Sequence, residues 1–281
     1  MRALPASVLA LCGLAVSACG GALPGAPVAD QMARRDAAPT VSAEPAGTAG
    51  SARPAEKAPL VRPLEGRVVV IDPGHNGGNA RAPKEINRKV NVLTQWKACD
   101  TTGTSTNSGY PEAAFTWDVS KRLRKILKKR GATVKLTRPN NTGVGPCITE
   151  RAAIANRLKA DAAISVHADG SAPGNRGFHV IMPKKIGGPV DPVVGESAKL
   201  GKAVRDAFRK DTGLPYSTYI GKKGLDYRSD LGGLNLSTVP KIFIEAGNMR
   251  NAGEAAKFRD PRFRQKIALA LANGLQHYLN A

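Results

Sequence analysis

Residues 67–75 read RVVVIDPGH, an apolar β-branched run that ends in an aspartate, a Pro-Gly turn and a histidine. The run predicts a buried strand over 67–72, because β-branched residues favour strands and the Pro-Gly pair ends one. Short apolar runs of the same kind recur at 132–138, 162–168, 177–182 and 241–246. Amphipathic segments with helical spacing occur at 113–130, 149–160, 195–212 and 260–280. Strands that alternate with helices predict one α/β domain, with a mostly parallel twisted sheet flanked by helices.

Two long irregular stretches interrupt this alternation. Residues 76–111 are rich in Asn, Thr, Gly and Lys, and residues 214–240 contain three tyrosines and several glycines. Loops of this length are usually functional or disordered. Because loops at the ends of parallel strands build the sites of such folds, we expect these stretches to border the functional site.

The first 19 residues have the pattern of an export signal. A positive charge at Arg2 precedes an apolar run, and residues 16–19 read Val-Ser-Ala-Cys. This ending resembles the lipobox of bacterial lipoprotein signals, in which the cysteine becomes the first mature residue and carries lipid. The sequence therefore favours a signal peptide over 1–19 with lipidation of Cys19, and an ordinary secretory signal is the alternative. Either route exports the chain to the cell envelope, at the outer face of the cytoplasmic membrane or in a periplasm-like space.

Residues 20–62 are rich in Ala, Pro and Gly and have no apolar periodicity, which predicts a disordered linker before a folded domain over 63–281. The net charge of the chain is +20, and charges in the linker balance, so the excess belongs to the domain. A basic domain attracts polyanions. Export, and the lack of a recognition helix or aromatic stacking platform, argue against nucleic acid. Wall peptides with free carboxylates and phosphate-bearing wall polymers fit an exported basic domain better, and a merely solvated basic surface near an anionic envelope is the alternative. We expect a monomer.

The cysteines predict one disulfide. Of the four, Cys12 lies in the apolar signal and Cys19 is the lipidation candidate, which leaves Cys99 and Cys147 in the domain. An even pair in an exported domain favours a disulfide between them. Free thiols or zinc ligands are the alternatives, and neither cysteine belongs to a Cys-x-x-Cys arrangement.

Three chemically active side chains come at or just after the ends of predicted strands. His75 follows the first strand on the Pro-Gly turn, His167 ends the run ISVH, and Glu245 ends the run FIE. Parallel strands bring their carboxyl ends to one edge of the sheet. These side chains can therefore converge, although they are distant in sequence.

Two neutral imidazoles and one carboxylate form a catalytic zinc set with a fourth position open for water. A further carboxylate can take the proton of the water and pass it to the leaving amine. Besides Glu245, Glu112 is the best second glutamate because it opens the helix after the long loop, and Glu85 competes with it as a ligand. His179, inside a strand, is interpreted as structural or as part of the site rim, and His277 as a surface residue.

Five motifs occur in order along the domain: IDPGH at 71–75, E-x5-DVS-x2-L at 112–123, ER-x4-N at 150–156, ISVHAD at 164–169 and IEAG at 244–247. In these motifs the chain resembles the zinc-dependent N-acetylmuramoyl-L-alanine amidases of the amidase-3 family, over roughly residues 67–280. The resemblance implies that His75, Glu112 and His167 bind Zn²⁺ and that Glu245 is the catalytic acid/base. It also implies hydrolysis of the amide bond between N-acetylmuramic acid and L-alanine in peptidoglycan, in cell-wall remodelling or turnover. The basic composition and the cysteine-containing loop are similar to actinobacterial members.

Two further residues have supporting roles with alternatives. Asp72 either orients a metal ligand or caps the turn, and Arg151 either packs under the site or holds a substrate carboxylate. Site chemistry alone also fits a zinc peptidase or deacetylase acting on the wall. A wall-binding lipoprotein without catalysis is the rival outside enzymes, and the presence of every required residue type argues against it.

Overall fold

A six-stranded sheet forms the centre of the described chain, residues 62–281 of a computed structural model. The expected signal peptide over 1–19, its Cys19 and the expected linker up to residue 61 lie outside the described residues. The strands are β1 Val68–Pro73, β2 Lys89–Asn91, β3 Trp96–Ala98, β4 Thr133–Leu136, β5 Ala162–Asp169, β6 His179–Pro183, β7 Leu225–Arg228 and β8 Lys241–Asn248. The helices are α1 Pro83–Ile86, α2 Glu112–Lys129, α3 Ile148–Arg157, α4 Val194–Thr212, α5 Gly232–Asn235, α6 Ala252–Arg259 and α7 Pro261–Leu279. Two short 3₁₀ turns complete the list, at Asn79–Arg81 and Asp191–Val193.

The central sheet has the strand order β4-β1-β5-β8-β6-β7. All neighbouring strands are parallel except β6 and β8, which are antiparallel. This confirms the expected α/β domain with a mostly parallel sheet. The inner strands β1, β5 and β8 are buried over most of their length, because other parts of the domain cover both faces of the sheet.

The two faces of the sheet have different characters because side chains alternate along a strand. Ile71, Ile164 and Ile244 point into the main core, which α2, α4 and α7 cover. Val70 and Ala163 point to the opposite face, where they pack with Ala155 of α3. By the same alternation, the second face carries polar and aromatic side chains. Lys241 lies at the amino end of β8, and the others lie nearer the carboxyl ends of the strands: Asp72, Ser165, His167, Phe243 and Glu245.

The sequence missed several short elements. The stretch 76–111 contains α1 and the antiparallel hairpin of β2 and β3, and the stretch 214–240 contains β7 and α5. The helix predicted over 260–280 begins at Pro261, because the side chain of Asp260 caps it by accepting from Arg262 N–H. The separate helix α6 precedes that cap. In the described part of the chain, no helix is both long and apolar enough to cross a membrane.

The segment 76–111, called the insert below, is fixed to the body of the domain. A disulfide joins Cys99 in the insert to Cys147 at the start of α3, as the sequence predicts. At the other end of the hairpin, the Asn235 side-chain amide donates to the carbonyl oxygens of Val92 and Ser229, at 2.8 Å each. The insert therefore lies in a defined position beside the carboxyl edge of the sheet.

Candidate functional site

Three of the residues singled out in the sequence meet at the carboxyl edge of the sheet. His75 Nε2 lies 3.2 Å from one carboxylate oxygen of Glu112, and His167 Nδ1 lies 2.9 Å from the other. One ligand atom from each of the three residues falls within 4.8 Å of the other two. The donor set of two imidazoles and one carboxylate is that of catalytic zinc sites, so the residues fit the metal that the sequence implies.

Close backbone approach makes this meeting of side chains possible. His75 has a φ of 57°, a left-handed conformation that costs energy outside glycine, and it directly follows the turn. A Cβ on Gly74 would lie 2.3 Å from the His167 ring, so only glycine allows the turn and that ring to touch. Gly103 of the insert, with a φ of 75°, has the same role, since its Cβ would lie 2.7 Å from Glu112 Oε2.

Glu112 is buried at the first position of α2 and is held by backbone groups as well as by the histidines. The N–H of Thr104 donates to Oε2 at 2.9 Å, and the N–H of Ala168 donates to Oε1 at 3.2 Å. Burial acts to raise the pKa of Glu112, but His75 and His167 outweigh it and hold the pKa well below the usual range. Glu112 is therefore held in its charged form.

The pKa of His75 is shifted in the opposite direction. Burial acts to lower the pKa of His75, and the charge of Glu112 with hydrogen bonds to Asp100 and Glu112 raises it to about 10. The carboxylates of Glu112 and Asp100 therefore favour a positive charge at the position of the His75 ring. A divalent cation bound by the same carboxylate satisfies the same preference.

Glu245 lies beside this cluster on β8. It is the direct neighbour of His167 on β5 and of His179 on β6. Its Oε2 atom is buried and has no hydrogen-bond partner among the described residues. Burial, followed by the negative charges of Glu112 and Asp169, raises the pKa of Glu245 well above its ordinary value.

One cleft contains all four residues. It has a volume of about 410 Å³, and His75, Glu112, His167 and Glu245 all line it, together with Arg228. That volume lies in the range of small-ligand sites. The cluster and the protonatable carboxylate therefore face a space that can hold a substrate.

Asp72 and Arg151 lie beneath the cluster rather than in it. Asp72 accepts hydrogen bonds from Thr137 Oγ1 at 2.6 Å, from Arg151 Nη1 at 2.8 Å and from Ser165 Oγ at 2.8 Å. Lys241 Nζ lies 3.6 Å from Asp72 Oδ2. Burial acts to raise the pKa of Asp72, but the charges of Arg151 and Lys241 outweigh it and hold the pKa far below the usual range.

Arg151 is buried, and its guanidinium is fully occupied by protein acceptors. Its Nη1 donates to Asp72 and to the Pro73 carbonyl, and its Nη2 donates to the His75 carbonyl at 3.2 Å and to Asn76 and Asp100. Its Nε donates to the Pro146 carbonyl. With no donor left over, the geometry favours packing under the site over contact with a substrate carboxylate.

Asp72→Asn will destabilise the domain at neutral pH by about 3–5 kcal/mol, because Lys241 is left buried beside a neutral partner and Arg151 loses one of the two carboxylates that pair with it. The folded-state pKa of Asp72 is depressed, so its contribution is present above the ordinary carboxyl pKa and is lost as the pH falls below it. Urea unfolding between pH 3 and 7 measures both effects. The exposed Asp206→Asn is the control; equal stability of the two variants at neutral pH would contradict the prediction.

The remaining candidates lie outside the ligand set. Glu85, the competitor of Glu112, is exposed on α1, and His277 is exposed on α7. His179 is buried in β6, edge-on to Tyr219 at the side of Glu245. The cysteines form the disulfide and are not ligands.

Sequence reasoning missed the residues that contact the back of His75. His75 Nδ1 lies 3.0 Å from the carbonyl oxygen of Thr101 and 3.5 Å from Asp100 Oδ1, both in the insert. Asp100 directly follows the disulfide cysteine Cys99, and this adjacency is the one sequence feature that points to Asp100. A backbone carbonyl such as that of Thr101 has no such signal.

Comparisons with known proteins agree with this geometry. The family model Amidase_3, described as N-acetylmuramoyl-L-alanine amidase, matches residues 69–277. A curated N-acetylmuramoyl-L-alanine amidase of Mycobacterium tuberculosis is 42% identical over 240 residues, which cover 85% of this chain and 94% of that protein. The crystal structure of the amidase Ami1 of Mycobacterium smegmatis is 40% identical with a TM-score of 0.73, covering 77% of this chain and 98% of that one. The apo form of Ami1 of Mycobacterium abscessus is 43% identical with a TM-score of 0.73, covering 77% of this chain and 100% of that one.

Proposed function

The chain belongs to the Amidase_3 family of N-acetylmuramoyl-L-alanine amidases, and we propose that its activity depends on zinc held by His75, Glu112 and His167, with Glu245 as the catalytic acid/base. As a member of that family, the enzyme hydrolyses the amide bond between N-acetylmuramic acid and L-alanine in peptidoglycan. The observation that carries the proposal is the common cleft, in which three zinc-type ligand atoms within 4.8 Å of one another adjoin a buried carboxylate of raised pKa.

The ring of His75 is oriented for metal binding. Its Nδ1 donates to the Thr101 carbonyl oxygen, which leaves Nε2 free to face Glu112. Metal-binding histidines generally donate their other ring N–H in this way, since the hydrogen bond fixes the tautomer and the ring orientation. His167 presents Nδ1 to the same carboxylate.

Glu245 moves the proton in the proposed reaction. When bound, the metal ion acidifies water and polarises the scissile carbonyl. Glu245 accepts a proton from the attacking water and returns it to the nitrogen of the departing L-alanine. Burial and the charges of Glu112 and Asp169 raise the pKa of Glu245, which makes this carboxylate a stronger proton acceptor than an ordinary glutamate.

The rival enzyme classes share the site chemistry. A zinc peptidase or deacetylase needs the same ligands and the same acid/base, so family membership separates them from an amidase. A wall-binding lipoprotein without catalysis would not need Glu245 in the cleft with the ligand cluster.

The rest of the proposal concerns the whole chain. Relatives named as probable cell wall amidases support an exported enzyme of the cell envelope. We further propose that residues 1–19 are the signal, that Cys19 carries a lipid anchor to the membrane, and that residues 20–62 link it to the catalytic domain 63–281. We propose a monomer that acts on peptidoglycan or muramyl peptides.

The test is product identification on muramyl peptides with and without metal. The chain lacking its signal is incubated with zinc, with a chelator, and with the chelator followed by excess zinc, and the products are identified by mass spectrometry. We expect a stem peptide with a free L-alanine amine, lost with the chelator and restored by zinc. Cleavage within the stem would instead indicate a peptidase. Folded, zinc-loaded protein without turnover would indicate a binding role.

A further inference from the structure

Among the described residues, the insert provides the polar contacts to Nδ1 of the His75 ring. Besides the Thr101 carbonyl, the hydroxyl of Thr101 lies 3.2 Å from Nδ1, and the Asp100 carboxylate lies 3.5 Å from the same atom. His75 is a non-glycine residue in a left-handed conformation, so its local backbone does not favour this orientation by itself. The ring direction depends on a segment 25 or more residues further along the chain.

Asp100 is itself held rigidly. It is 6% exposed, and its carboxylate accepts from the Asn76 amide at 2.7 Å, from the Thr101 N–H at 2.7 Å and from Arg151 Nη2 at 3.2 Å. The same Arg151 nitrogen donates to the His75 carbonyl oxygen. Asp100 and Arg151 thus hold the ring and the backbone of His75 from two sides.

The disulfide joins the two segments that carry these residues. Cys99 directly precedes Asp100, and Cys147 lies at the start of α3, one helical turn before Arg151. Backbone hydrogen bonds reinforce the link: Ile148 N–H donates to the Cys99 carbonyl at 2.9 Å, and Arg151 N–H donates to the Cys147 carbonyl at 3.0 Å. A covalent bond therefore fixes the distance between the two supports of His75.

We propose that Asp100 is a positioning residue for His75 and that the Cys99–Cys147 disulfide holds it in place, so that both set the zinc affinity of the site. An anion near Nδ1–H orients the imidazole and makes Nε2 a stronger ligand, and loss of such a partner commonly weakens metal binding by about 10–100-fold. The inference rests on the proposed zinc site and adds its determinants in the insert.

Zinc affinity of Asp100→Asn, measured by competition with a chelating dye, is the first test. We expect the dissociation constant to rise about 10–100-fold. The absorption spectrum of bound Co²⁺ should also change, because the ring of His75 is less well fixed. Activity at saturating zinc should recover, since Asp100 does not line the cleft that contains the cluster. Asp118→Asn is the matched control, because that carboxylate also pairs with arginine, in its case Arg122 and Arg264, but lies away from the cluster.

The double variant Cys99→Ala/Cys147→Ala tests the covalent part. We expect this double variant to bind zinc more weakly than the wild type. Asp100→Asn should then raise the zinc dissociation constant by a smaller factor in the double variant than in the wild type, because residues of one network have non-additive effects. The folded fraction is followed by circular dichroism in each sample.

The outcomes separate this inference from the proposed function. If the wild type binds no zinc, the metal site itself is wrong and the inference is overturned with it. If the wild type binds zinc and the folded Asp100→Asn and double-cysteine variants bind it equally tightly, the inference alone is overturned. A variant that loses stability but keeps zinc affinity would show a purely structural role and would also overturn it.

Discussion

Glu245→Gln will lower kcat by about 10²–10⁴-fold, the usual contribution of a general acid/base. Glutamine keeps the size and the hydrogen-bonding shape of the side chain but cannot take up a proton. Glu245 is not among the three residues whose ligand atoms cluster, so zinc content should be unchanged. Its buried Oε2 has no partner among the described residues, so the substitution breaks no existing hydrogen bond of that atom.

The measurement is kcat on a muramyl peptide together with zinc content after dialysis. Glu254→Gln is the matched control, because Glu254 is also a buried glutamate whose pKa burial raises, but it accepts from Gly177 N–H and Asn248 N–H outside the cleft. That variant should lose stability and keep kcat. Wild-type kcat in folded Glu245→Gln would mean that another group moves the proton.

His167→Ala will remove the metal and with it nearly all activity. His167 contributes one of three ligand atoms, and a set of one imidazole and one carboxylate no longer matches a catalytic zinc site. Metal activation is worth several kcal/mol, and each 1.4 kcal/mol is a factor of ten in rate, so kcat/KM should fall by about 10³-fold or more.

Zinc content and kcat/KM are measured at limiting and at excess zinc. His277→Ala is the control, because His277 is exposed on α7 and lies outside the cluster, and it should retain both quantities. If His167→Ala keeps full zinc content and wild-type kcat/KM, the proposed ligand set is wrong. Partial recovery at excess zinc would be consistent with a weakened site that the remaining ligands still form.

The sequence alone identified the residues whose position follows from local pattern. An apolar run predicts a strand, and a strand predicts where its end will lie, so His75, His167 and Glu245 could be assigned to one edge of a parallel sheet. The long helices α2, α4 and α7 were found within a few residues because each repeats its apolar spacing over several turns. The disulfide followed from the cysteine count and from export.

Short elements were not predictable in this way. Strands β2, β3 and β7 have only three or four residues, too few to show alternation, and α5 has four. Such elements are stable because the rest of the domain packs against them. Hydrogen bonds from Asn235 and the disulfide fix the hairpin of β2 and β3, and both act between residues far apart in sequence.

The sequence by itself thus determined the α/β architecture and the location of His75, His167 and Glu245 at one edge of the sheet. These features follow from local apolar periodicity and from which residues come at or after the end of a strand. The sequence also favoured Glu112 over Glu85, and the tertiary structure brings Glu112 to the histidines. Only the tertiary structure placed Asp100 and the Thr101 carbonyl behind His75. The physical reason is that these contacts depend on how a 36-residue insert folds back over the sheet. The path of the insert is set by packing and by a disulfide between residues far apart in sequence. Every residue type has a backbone carbonyl, so no sequence pattern predicts that the one of Thr101 will contact His75.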